Sequence, residues 1–333
     1  MGISKKIASQ SASILRSFWR MNESGIILIT IAYAIFVWLI NPVFFSGINL
    51  SNILRQTGFV LIPALGMTMV LISGGINISV GSVLGVAGLV TGFCLADFQL
   101  PIMLGILMGL IAGMLLGLGS GFLIVRFSIP PIIATLGMMY VAKGLALVMT
   151  DGIARYPMPD AFNALEQGEA LGMPNIIPLY LILCIIFSFI LNHTTFGRSV
   201  YAVGGNQATA KLSGINVKKV QMLVYMLSGL MAGVAGVMLC SRLGSAQPAA
   251  GEGQEMHVIA SCIIGGTSPS GGKGSILGTL IGSIFMSMLT NSMTLMKVNV
   301  NWQKMVLGLV LVFAVIMDRY KQTQSQKVSI RLG

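Results

Sequence analysis

This 333-residue chain carries few of the groups that chemistry needs: nine Asp or Glu, twenty Lys or Arg, and two His. His193 and His257 stand far apart, and no carboxylate pair, H-E-x-x-H or Ser/His/Asp pattern accompanies either. No catalytic residue is expected. The run GGTSPSGGKGS, 265–275, has the glycines and lysine of a phosphate-binding loop, whose backbone N–H groups cradle phosphates. Its spacing fails: Thr267 stands five residues before Gly272 where a glycine is required, and Gly274 follows Lys273 in place of Ser or Thr. If the protein's work consumes ATP, another chain binds it. Cys94, Cys184, Cys240 and Cys262 lie singly in apolar runs, so they read as small buried hydrophobes with neither metal nor disulfide role. No cofactor is expected.

Other polar side chains interrupt apolar runs. Lys143, in MMYVAKGLALVM, is the formal charge embedded in such a run, and it either snorkels, faces a neighbouring helix or lines a pathway. The segment SGGINISVGS, 73–82, breaks two apolar runs with adjacent glycines and an asparagine. Irregular backbone survives in a bilayer only under protein or beside water. The segment is therefore a turn at the membrane surface or a discontinuous helix lining a pathway. In the second case Ser73, Asn77, Ser79 and Lys143 are the candidate pathway residues. No Asp or Glu falls in the middle of a predicted span, which argues against a proton- or sodium-coupled carrier.

The elements that must hold these residues follow from composition. With 55% hydrophobic residues, 9% charged residues and 41 glycines, the chain is too poor in charge to clothe a soluble surface. An all-α integral membrane protein is expected, with runs long enough to cross a bilayer near 26–45, 57–73, 78–96, 101–125, 131–150, 176–192, 222–240, 257–265 with its neighbours, 275–297 and 303–318. These make ten spans, the eighth being the shortest. The first is a retained span and not a signal peptide, since no small-x-small cleavage site follows it.

An even number of spans puts both termini on one side. With that side cytoplasmic, the inner segments hold fourteen basic residues against Glu23 and Asp318. The outer segments hold five basic residues against seven acidic ones. This asymmetry orients the chain by the positive-inside rule and accounts for the net charge of +11 without nucleic acid. The organisation expected is a cytoplasmic segment 1–25, one transmembrane domain 26–318 with a cytoplasmic loop 193–221, and a cytoplasmic tail 319–333.

In the fourth span Gly105, Gly109, Gly113, Gly117 and Gly121 recur at every fourth position and bare one helix face for close approach by another helix. Gly81 with Gly85, Gly229 with Gly233, and Gly278 with Gly282 repeat the device.

The inner loop contains YAVGGNQATAKLSGINVKKV, 201–220, too polar and basic for lipid. Together with ALGMTMVLISGGINISVGS, PPIIATLGMMYVAKGLALVMTDG and SAQPAAGEGQEMHVIASCIIGGTSPSGGKGSILGTLIG, it resembles the permease subunits of ribose-type ABC importers over about residues 40–320. The resemblance implies a monosaccharide pathway formed by two permease subunits, a separate cytoplasmic ATPase, an extracytoplasmic binding protein, and a place in the bacterial inner membrane. It also implies that Asn206, Gln207, Ala208, Ala210, Lys211, Leu212, Gly214 and Ile215 form the short helix that docks on the ATPase. Thr209 departs from that family's usual alanine pair, and Asn77 stands where the family pattern S-G-G-I-D-L-S-V-G has an acid. An importer of a nucleoside or signalling molecule, or a carrier or channel acting alone, are the alternative readings.

Overall fold

The computed structural model describes residues 24–170 and 172–332, without the side chains of Ala170, Asp318 and 321–332. Lys5, Lys6, Arg16, Arg20 and Glu23, which weigh in the expected orientation, lie outside the described residues. Among those described, thirteen helices follow in order: α1 (Ser24–Ile40), α2 (Gly47–Ile72), α3 (Val80–Gly92), α4 (Ile102–Phe127), α5 (Pro131–Thr150), α6 (Asp160–Gln167), α7 (Ile176–His193), α8 (Thr195–Gly205), α9 (Gln207–Leu212), α10 (Val217–Leu243), α11 (Gln254–Ile264), α12 (Ile276–Leu295) and α13 (Val300–Leu332). One π-helical turn, Phe93–Asp97, extends α3. A two-residue antiparallel pair, β1 (Glu169–Ala170) and β2 (Met173–Pro174), lies between α6 and α7.

Eight helices are long and apolar enough to cross a membrane, counting α3 with its extension. Helices α1, with 17 residues, and α11, with 11, take the places of the first and eighth expected spans. The tenth helix of that series differs in length: it runs unbroken from Val300 to Leu332, through the segment read as a tail. The expected inner loop 193–221 is largely helical, as α8 and α9.

Helices α2, α3 and α10 make the centre, with α4 laid along α10, α12 and α11 against α2, and α5 against α3. The glycine stripe explains the α4–α10 contact. A Cβ on Gly113 would sit 2.6 Å from Gly229 O, and one on Gly117 2.8 Å from Gly229 Cα, so any side chain there would push the two backbones apart. Lipid supplies no hydrophobic drive between helices, and close van der Waals contact takes its place.

Polar contacts sort the ends of the bundle. At one end Arg55 pairs with Glu166, Arg155 lies 3.7 Å from Asp97, and Ser241 Oγ donates to Phe162 O at 2.8 Å. At the other, Gly272 N donates to Ile72 O at 2.8 Å and Tyr201 OH to Gly274 O at 2.7 Å. The glycine run 265–275 is thus a wedge between the end of α2 and α8. The four cysteines are buried thiols.

Candidate functional site

The break in SGGINIS is built from its sequence. Gly74, with φ +85°, takes the left-handed position past the end of α2. Gly75 N then donates to Val70 O (3.0 Å) and Gly74 N to Leu71 O (2.9 Å), which closes the last carbonyls of α2. The chain turns back into the bundle before α3 starts, and Asn77 and Ser79 are fully buried. A plain surface turn is excluded by that burial: the segment is a break between two membrane helices, covered by protein.

Asn77 organises the break. Its Nδ2 donates to Ser228 Oγ on α10 at 3.1 Å, and its Oδ1 accepts from Ser79 N at 3.1 Å and Ser79 Oγ at 2.7 Å. Ser73 Oγ donates to Val70 O and stays local. Tyr225 OH, one turn before Ser228, donates to Ile76 O at 3.4 Å, and Thr135 Oγ1 of α5 lies 3.3 Å from that carbonyl. Thr135, Tyr225 and Ser228 were not among the candidates from sequence. The signal available was the spacing of Tyr225 and Ser228, three apart on one helix face, although hydroxyls in spans commonly bond only their own helix.

Lys143 is elsewhere. Its Nζ meets Glu252 Oε1 at 2.5 Å, in the loop between α10 and α11, and both side chains are exposed, at 39% and 58%. The loop runs down α3: a Cβ on Gly92 would meet Ala246, one on Gly85 would lie 2.5 Å from Ala250 O, and one on Gly81 would meet Gly251 and Glu255. Carboxylates therefore reach the depth of the spans, on a loop that hydropathy does not identify as part of one.

The third candidate group is α9. Asn206 caps it, its Oδ1 accepting from Thr209 N at 3.0 Å. Gly214, with φ +81°, ends it: Gly214 N donates to Lys211 O (3.1 Å) and Ile215 N to Ala210 O (3.0 Å). Ala210 is buried and Ile215 packs on the core, while Gln207, Ala208 and Lys211 are exposed and Leu212 is 90% exposed. The residues the sequence groups together are thus divided between an inward anchor and an outward surface.

Comparison with known proteins shows the family. Residues 49–315 match the permease component of the branched-chain amino acid transport system family. The chain belongs to this permease family. The permease is 40% identical to the ribose import permease protein RbsC of Haemophilus influenzae, over 91% of this chain and 95% of that one. It is 41% identical to the protein of that name in Bacillus subtilis (90% and 94%) and 32% identical to the xylose transport system permease protein XylH of Escherichia coli (87% and 89%). No solved structure matches it. The permease is accordingly a multi-pass membrane transport protein.

Proposed function

We propose that two copies of this chain form the membrane pathway of an ATP-driven importer for a monosaccharide of the ribose class. Both termini face the cytoplasm of a bacterial inner membrane, a separate ATPase docks on α9, and a binding protein delivers the sugar from outside. The observation that carries this reading is the likeness to ribose import permeases over nine-tenths of the chain. The charge asymmetry supports the orientation.

The geometry supports a mechanism. Leu212 gives α9 an apolar knob in a polar setting, the kind of residue that seats in a partner's groove. A push on α9 enters α8, whose Gly204 abuts Ile72 O and Gly272 N. Ile72 is the last residue of α2, directly before the break. A displacement at the ATPase thus reaches the Ser73–Ser79 break through backbone contacts, and a rigid-body rocking of helices opens the pathway on alternate sides.

The test is uptake of radiolabelled ribose into liposomes holding the permease, with the ATPase and binding protein supplied. ATP-dependent accumulation is expected. Uptake that persists without ATP or without the ATPase would overturn the reading in favour of a carrier or channel.

A further inference from the structure

Lys143 and Glu252 sit on an exposed face of the single chain, at mid-span. Lys143 lies seven residues inside the C-terminal end of α5, about 10 Å along its axis. Gly81, against which Gly251 and Glu255 pack, is in the first turn of α3, which begins inside the bundle at the break. Two independent features of this face are incompatible with lipid. The first is the charge, since an ionised side chain at the bilayer centre loses its hydration and is tolerated only beside water or a partner. The second is the backbone of the loop 244–253, which is neither helix nor strand and exposes Gln247, Ala249 and Glu252.

The groups gathered there share one chemistry. Glu252 offers a carboxylate, Lys143 an ammonium group, and Tyr140, one turn before Lys143, a 65% exposed aromatic ring. Glu255 is half-buried beside Gly81, and the buried Gln254 Oε1 finds no partner among the described residues. A carboxylate accepts two neighbouring hydroxyls, an ammonium donates to ring or hydroxyl oxygens, and an aromatic face covers the apolar C–H side of a sugar. The set extends along α5 toward Thr135 and the break, eight residues or about 12 Å away.

We infer that Tyr140, Lys143, Glu252 and Glu255 form a solute-contact site on a water-filled face of the pathway, where a polyhydroxylated molecule exchanges its hydrogen bonds with those of the Lys143–Glu252 pair. This rests on the sugar-importer reading above and assigns residues to it. The pair is closed in this structure. Hydroxyls take over one partner at a time, so neither charge is left bare during passage.

Two measurements test it. Glu252→Cys in the otherwise native chain introduces an exposed thiol among four buried ones, and a membrane-impermeant maleimide is expected to label it well above the native chain. Ribose-loaded binding protein with ATP and the ATPase should slow that labelling. Labelling no faster than in the native chain means the face is covered by lipid or by dry protein and overturns the inference, whether or not the complex transports. Separately, Glu252→Gln and Lys143→Gln should each lower ribose uptake about tenfold or more while the complex assembles normally. Native uptake by both overturns the site but leaves the importer reading standing, whereas absent uptake by the native complex strikes that reading instead. Should either variant assemble poorly, Tyr140→Ala, at a ring already exposed, takes its place: slowed uptake supports the site and native uptake overturns it.

Discussion

Asn77 Nδ2 and Ser228 Oγ stand 3.1 Å apart, joining the break between α2 and α3 to the middle of α10. They are 151 residues apart in the chain, and both are fully buried. Asn77→Leu would leave the Ser79 N–H and the Ser228 hydroxyl without this partner, at roughly 1–3 kcal/mol for each group left unsatisfied. Asn77→Asp, as the neutral acid, keeps an acceptor for Ser79 and a donor for the Ser228 hydroxyl and so buries no charge. Thermal unfolding in detergent should therefore show a large loss of stability for the leucine variant and a small one for the aspartate. Equal stability of the two would remove the hydrogen-bond account of the break.

Gly113→Leu should abolish or severely weaken folding, because its Cβ would lie 2.6 Å from Gly229 O and the α4 and α10 backbones would have to separate. Overpacking costs typically about 1–3 kcal/mol where a core can yield, and two backbones yield least. Gly144→Leu, with nothing within 4 Å of its Cβ, is the control. The yield of monodisperse protein checks the pair.

Leu212→Asp should leave the permease folded, since the side chain is 90% exposed, and should lower copurification of the ATPase. Ala210→Asp should instead disturb α9 itself by burying a carboxylate. Gly214→Val forces a β-branched residue to φ +81° and should cost about 1–2 kcal/mol of local order. Unchanged ATPase capture by the Leu212 variant would remove α9 as the docking element.

At the opposite end of the bundle, Glu166 is 1% exposed and its one cation is Arg55, at 3.3 Å among the described residues. Arg55→Met strands that carboxylate, an effect of roughly 3–5 kcal/mol for a buried pair. The double variant Arg55→Met with Glu166→Gln should recover part of the loss, which a double-mutant cycle on thermal unfolding would measure.

Much of this protein is legible in one dimension. Runs of apolar residues set the membrane class and eight of the ten expected spans, because a helix in lipid must satisfy its backbone internally and so writes its length into hydropathy. The first helix, with 17 residues, and the eighth, with 11, are shorter, and before the eighth the segment 244–253 packs along α3 as loop and not as helix. The glycines of α4 likewise declared their face, since a spacing of four is a local property of one helix.

The polar groups were different. Asn77 and Lys143 were visible as anomalies, but Ser228 and Glu252 were not visible as their partners, nor was the parting of Ala210 and Ile215 from Leu212. A hydrogen bond between segments 109 or 151 residues apart exists only once helices have packed. Local spacing determined which residues share a helix face, and only the tertiary structure decided which of those faces meet protein and which are left exposed, because helix packing joins segments far apart in sequence.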